Sequence, residues 1–176
     1  MPNWCDCDLR ITGPKKDQVS FLEFMNSIED EDEYEKYFDL AEIIPYPAEL
    51  TKAYNEFLAL HTWLWTLSKD QREAWLTGHG PLKFDDNDWP NKNWGTSRKF
   101  MFKLEVTEKK TSTVFHVLTA WSPPSPVIKL LSERYPSLRF NLRFYECGAG
   151  YKGHKVYKKG ECLDSMEGDY RGNRGG

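Results

Sequence analysis

Apolar and polar side chains alternate along residues 5–12, with Cys5, Cys7, Leu9 and Ile11 against Asp6, Asp8, Arg10 and Thr12. A period of two places one set toward a core and predicts a half-buried strand. Gly13-Pro14 ends it and seats proline at a helix start. Val19, Leu22, Phe24, Met25 and Ile28 then carry the helix to about residue 28. After residue 98 the alternation returns three times. Phe100, Phe102, Leu104 and Val106 form one predicted strand face, the run Thr113–Trp121 a second strand, and Leu138, Phe140, Leu142 and Phe144 a third strand face. Glu108-Lys109-Lys110 turns the first of these into the second. Ser122-Pro123-Pro124 breaks the second, and Ser125-Pro126 opens a helix carrying Val127, Leu130 and Leu131 that Pro136 closes.

This order, β-α-(insertion)-β-β-α-β, predicts an α+β ferredoxin-like sandwich: two helices on one face of an antiparallel sheet. The insertion, at about residues 36–98, is mostly helical. Ile43-Ile44-Pro45-Tyr46-Pro47 must be extended around its prolines. Phe57, Leu60, Leu64 and Leu67 fall on one helical stripe, and Ser68 with Gln71 makes a capping box for a second helix that Gly78 is placed to stop. Trp63, Trp65 and Trp75 read as packing residues. The expected organisation is one domain over 1–163, a short segment Gly153–Leu163 at its end, and a flexible glycine-rich tail over 164–176.

Composition narrows the class. No apolar run reaches the roughly 18 residues of a membrane span, and the first residues lack the basic and apolar regions of a signal peptide. A cytoplasmic location is expected. Cys5, Cys7, Cys147 and Cys162 then read as reduced thiols rather than a disulfide framework. No Cys or His pair at metal spacing accompanies them, so neither metal nor cofactor is expected. Asp85, Asp86 and Asp88 invite a calcium reading, but the glycine and distal Glu of an EF-hand loop are missing. The net charge of −3 conceals an asymmetry: residues 1–97 carry 9 basic and 19 acidic side chains, residues 98–160 carry 13 and 4. A basic half can steer an anionic partner, although two such halves can equally face each other or water. The acidic run Glu29–Glu35 reads as a solvated loop or helix end.

Several phrases, taken in order, resemble one family. They are Asn3-Trp4-Cys5-Asp6, Ile43-Ile44-Pro45-Tyr46-Pro47, Asn93-Trp94-Gly95-Thr96, Thr119-Ala120-Trp121-Ser122-Pro123-Pro124, and Tyr145-Glu146 followed by Gly148. The set is similar to the YubB-like ferredoxin-like proteins of phages and plasmids. Cys7 stands where that family usually has Asn, and Ser97-Arg98 where it commonly continues Lys-Trp. The resemblance implies a mobile-element accessory protein and brings no established reaction.

Four function classes follow. The first is a non-catalytic binder that sequesters an anionic, nucleotide-like ligand in counter-defence. Its site is expected where the Trp94 loop, the Trp121 strand end and the Tyr145–Tyr151 turn meet, with Trp94, Thr96, Arg98, Trp121, Ser122, Arg143, Tyr145, Glu146, Tyr151 and Lys152 as candidate ligand-binding residues. Aromatic faces stack on bases, and Arg or Lys neutralises phosphate. A homo-oligomer would suit such a small binder. The second is a protein-binding inhibitor of a host defence complex, anchored by the Trp-rich insertion. The third is nucleic-acid binding on the open sheet face, through Arg10, Lys103, Arg139 and Arg143; Asp6 and Asp8 on that face, and a pI near 5.8, count against it. The fourth is an enzyme, for which the scattered His61, His79, His116 and His154 supply no recognisable constellation. No membrane partner is expected.

Overall fold

A computed structural model of the chain describes residues 3–31, 35–84, 86 and 88–176. The chain forms two compact units, Met1–Ile44 with Trp89–Gly176, and Pro45–Asp88. The first holds an eight-stranded sheet in which every pairing is antiparallel.

Its centre is β1 (Trp4–Thr12), flanked by β5 (Ser112–Ala120) and β6 (Arg139–Glu146). Cys5, Cys7, Leu9 and Ile11 of β1 have no exposed surface, and neither do Phe115, Val117, Phe140, Leu142 and Phe144 beside them. Two helices cover this inner face, α1 (Lys15–Ser27) and α5 (Ser125–Arg134). Phe21 of α1 meets Phe115, Phe140 and Tyr135 edge-on, at 5.7, 5.3 and 5.1 Å between ring centres. Val127, Ile128 and Leu131 of α5 are fully buried. Burying each such side chain contributes about 1.5–3 kcal/mol, so this face anchors the unit.

β4 (Phe100–Glu108) pairs with β5 on the side away from β1. The spatial order β4-β5-β1-β6 is that of a ferredoxin-like domain. Hairpins extend it at both ends: β2 (Glu29–Glu31) with β3 (Lys36–Asp39) beyond β4, and β7 (Tyr151–Lys158) with β8 (Glu161–Asp169) beyond β6.

Residues 36–39 belong to the sheet, so the separate insertion is 45–88 rather than 36–98. Glu29–Glu31, read as a loop or helix end, form a strand; Asp32, Glu33 and Tyr34 of that acidic run lie outside the described residues. Residues 164–169, expected in a flexible tail, pair with β7. The alternation of β4 is broken by a bulge between Lys103 and Glu105. Phe102 is opposite Leu118, whereas Val106 is opposite Phe115 on the inner face, and Leu104 is the extra, exposed residue. Met101, expected outward, is fully buried. One inserted residue flips every side chain that follows it.

In the second unit, α2 (Ala48–Thr66) and α3 (Lys69–His79) form as expected, with both halves of the Ser68–Gln71 capping box in place. Gly78 lies inside α3, which instead ends at Gly80 with φ +80°. Of the predicted stripe only Leu64 is buried. Trp63 and Trp65 are exposed, although Trp63 contacts Trp75 edge-on and Arg72 lies over the Trp65 ring. Asp85 and Asn87 of the acidic loop lie outside the described residues. Among the described residues no three His, Cys, Asp or Glu side chains gather as a metal site, and no helix is long and apolar enough to cross a membrane.

Candidate functional site

The three segments expected to converge do so at the end of β5, and mostly to hold the backbone. Helix α4 (Trp89–Asn93) leads into Trp94, whose ring is fully buried and donates from Nε1 to the Ile44 carbonyl at 2.8 Å. Trp89 packs edge-on against it. Thr96, also buried, donates to the Ala120 carbonyl, and Ser122 donates to the Gly95 carbonyl at 2.6 Å. Gly95 has φ +80°, and a Cβ there would lie 2.6 Å from the Pro126 ring. Only glycine lets the two loops approach this closely.

Across the junction, the Tyr151 hydroxyl donates to the Trp121 carbonyl at 2.7 Å. Burial first, and then the neighbouring Cys5, push this phenol far above its usual range, so it stays a donor. Glu146 is buried, and its carboxylate accepts from the backbone N–H groups of Gly148 and Ala149. The glycine turn is therefore fastened by the protein's own anion. Trp94, Thr96, Ser122, Glu146 and Tyr151 are thus occupied in the scaffold. Arg98 is exposed, and Trp121 is half exposed with φ +69°, a left-handed conformation uncommon outside glycine.

The remaining candidates, Arg143, Tyr145 and Lys152, come together elsewhere, on the sheet face opposite α1 and α5. Register fixes the arrangement. Asp6, Tyr145 and Lys152 form one row across β1, β6 and β7, and Asp8, Arg143, His154 and Met166 form the next. Arg143, Tyr145, Lys152, Gly153, His154 and Met166 line a shallow depression of about 230 Å³. Among the described residues neither Arg143 nor Lys152 has an ion-pair partner. The Lys152 ammonium sits 5.7 Å from the centre of the Tyr170 ring, itself tilted against Tyr145. His154 pairs with Asp164 at 2.9 Å, and this bond holds the Asp164 carboxyl below its ordinary range.

Beside the depression, Arg174 binds both acidic side chains of β1. Its Nε and Nη2 donate to Asp6 at 3.1 and 2.7 Å, and its Nη1 and Nη2 donate to Asp8 at 2.9 and 2.8 Å. The guanidinium carbon lies 4.1 Å from the centre of the Tyr145 ring. His116 Nδ1 meets Asp8 from the other side at 2.6 Å. Burial alone would raise the Asp8 carboxyl; Arg174 and His116 outweigh it and hold it low. Both carboxylates that counted against an anion on this face are thereby engaged by one guanidinium.

Sequence reasoning missed Tyr170, Arg174 and the pairing of His154, because β7 and β8 were not recognised as a hairpin. The signal available was the alternation Lys152, His154, Val156 beyond a glycine turn.

Comparison with known proteins agrees with the architecture. Residues 99–174 match the model of a family described as a ferredoxin-like domain in Api92-like protein. The matched segment runs from just before β4 through Arg174. The crystal structure of a protein api92 from Yersinia pseudotuberculosis is similar over 98% of this chain and 99% of that one, with a TM-score of 0.52 and 11% sequence identity. At that identity the likeness speaks for the fold alone. No curated protein sequence matches the chain.

Proposed function

We propose that this chain is a non-catalytic binding protein whose outer sheet face takes an anionic ligand carrying an aromatic ring, of the nucleotide class. The observation that carries the reading is the depression lined by Arg143 and Lys152, both without ion-pair partners among the described residues, together with half-buried Tyr145 and with His154. Free guanidinium and ammonium groups suit phosphate, and a neighbouring tyrosine suits a base. The YubB-like resemblance supports a phage or plasmid accessory protein acting in the host cytoplasm, where holding such a ligand would withdraw it from a defence system.

Calorimetric titration with mono-, di- and cyclic nucleotides, and with short oligonucleotides, tests this. At least one nucleotide should bind the wild-type protein, with affinity falling as salt rises and lost in Arg143→Ala/Lys152→Ala. Absence of heat with every nucleotide would overturn it. Tight binding confined to oligonucleotides would instead favour nucleic-acid recognition along the same face.

The insertion supports a second reading, in which a host protein is the target. Tyr54, Trp63 and Trp65 are exposed there, and aromatic side chains are common anchors of protein interfaces. Replacing Trp63 and Trp65 by Ala should then abolish recovery of a stoichiometric protein partner, while leaving nucleotide titrations unchanged.

A further inference from the structure

Residues Tyr170–Gly176 fold back along the sheet. The Tyr170 N–H donates to the Gly150 carbonyl, and the Arg174 N–H donates to the Tyr170 hydroxyl at 3.2 Å. From there the chain reaches β1, where the Gly176 N–H donates to the Trp4 carbonyl at 2.7 Å. Cys147 donates from Sγ to the Gly175 carbonyl at 2.8 Å. Gly175 has φ +78°, and a Cβ there would lie 2.5 Å from the carbonyl oxygens of both Trp4 and Tyr145. The segment starts at the edge strand β8 and is fastened again at the central strand β1. It therefore crosses β7 and β6, the two strands that supply Arg143, Tyr145, Lys152 and His154.

We infer that this segment is a strap that makes the neighbouring depression competent for anions, with Arg174 as its positioning residue. The inference rests on the anion-binding reading of the outer face. Its physical basis is competition for Arg143. The groups facing Asp6 and Asp8 are Arg10 on their own strand, His116 on β5, Arg143 and Tyr145 on β6, and Arg174. Asp8 is the cross-strand neighbour of Arg143. With the strap closed, the oxygens of Asp8 are taken by Arg174 and His116, and Arg143 is left to meet a ligand. With the strap open, Asp6 loses its guanidinium partner and Asp8 keeps only His116 of β5. Opposite charges directly across antiparallel strands attract, so Asp8 draws Arg143 away from the ligand, and Asp6 repels the anion. Opening also uncovers the Tyr145 ring, which loses the cation held against it. Because coupling between two sites is reciprocal, an anion bound in the depression must in turn hold the strap closed.

The experiment is calorimetric titration of adenosine 5′-monophosphate, with inorganic pyrophosphate as a second probe, into four proteins. They are the wild type, Arg174→Gln, a chain ending at Asp169, and Asp6→Asn/Asp8→Asn/Arg174→Gln. The first two altered chains should bind about five- to tenfold more weakly, and the triple variant should recover wild-type affinity, because the competing carboxylates are gone. Amide exchange at Arg174 and Gly176 should slow when the probe is bound to the wild type. Wild-type affinity in Arg174→Gln, or no recovery in the triple variant, would overturn the strap's role. Failure of the underlying anion reading is separable. If no probe binds the wild type, the Arg143 Nε–H resonance still reports the strap. It should shift toward a carboxylate-bonded position in Arg174→Gln and return in the triple variant, and a resonance unmoved by Arg174→Gln would overturn it.

Discussion

Charged side chains at single positions have two different fates in this protein. Glu146 is wholly buried and serves the backbone, whereas Asp6 and Asp8 hold a guanidinium at the surface of the sheet. The second arrangement makes a pH prediction with a definite sign. Asp8 is held below its ordinary range, so its folded form binds a proton less readily than its unfolded form. Its contribution to stability is therefore complete above the ordinary carboxylate pKa of about 3.9 and is lost as pH falls through the lowered folded-state value. Urea midpoints measured between about pH 5 and pH 2 should fall more steeply for the wild type than for Asp8→Asn. Parallel curves would mean that the Arg174–Asp8 contact does not persist in solution.

Elements were legible in proportion to how regular their patterning is. The alternation of β1, β5 and β6 survived intact because both flanking strands and the helices α1 and α5 demand one buried face. β4 was misread ahead of its bulge, where Met101 faces inward and Phe102 outward, since the single extra residue Leu104 that returns Val106 to the inner face leaves no mark in the local sequence. β7 and β8 were not legible because they lie at a sheet edge, where few inward positions are buried; every residue of β8 is exposed. That hairpin supplies a test. Gly153 lies under the Phe144 ring, and a Cβ there would fall 2.5 Å from its Cζ and 2.3 Å from the Met166 carbonyl. Gly153→Ala should destabilise the protein by about 1–3 kcal/mol in denaturant melts, with amide exchange in β7 and β8 rising first. Gly168→Ala, where nothing lies within 4 Å, is the control and should change stability little.

At the scale of the whole chain, the sheet and the two helices on its inner face belong to one compact unit, and residues 45–88 to another. The central face is buried by α1 and α5, and the Trp94 ring is fixed to Ile44 by a hydrogen bond inside the same unit. Replacing Pro45–Asp88 by a short glycine–serine linker should therefore leave the sheet unit folded. Its circular dichroism should keep the strand signal, its unfolding should remain cooperative, and its probe affinity should equal that of the full chain. Loss of cooperativity would show that the insertion completes the core.

The sequence alone determined the order of the four central strands and their two covering helices, the inward faces of three of those strands, the capped helix α3 and the basic character of residues 98–160. Each of these is local, written in periodicity or in a cap four residues long. It also named Arg143, Tyr145 and Lys152, though for a junction to which they do not belong. The tertiary structure decided which candidates were consumed by packing, such as Trp94 and Glu146, and which were left to face outward. It alone placed Arg174 on Asp6 and Asp8, residues separated by almost the whole chain. The physical reason is that no periodicity encodes a contact between chain ends. Strand register sets the rows on the sheet, and a glycine-rich segment too short to pattern then closes over them.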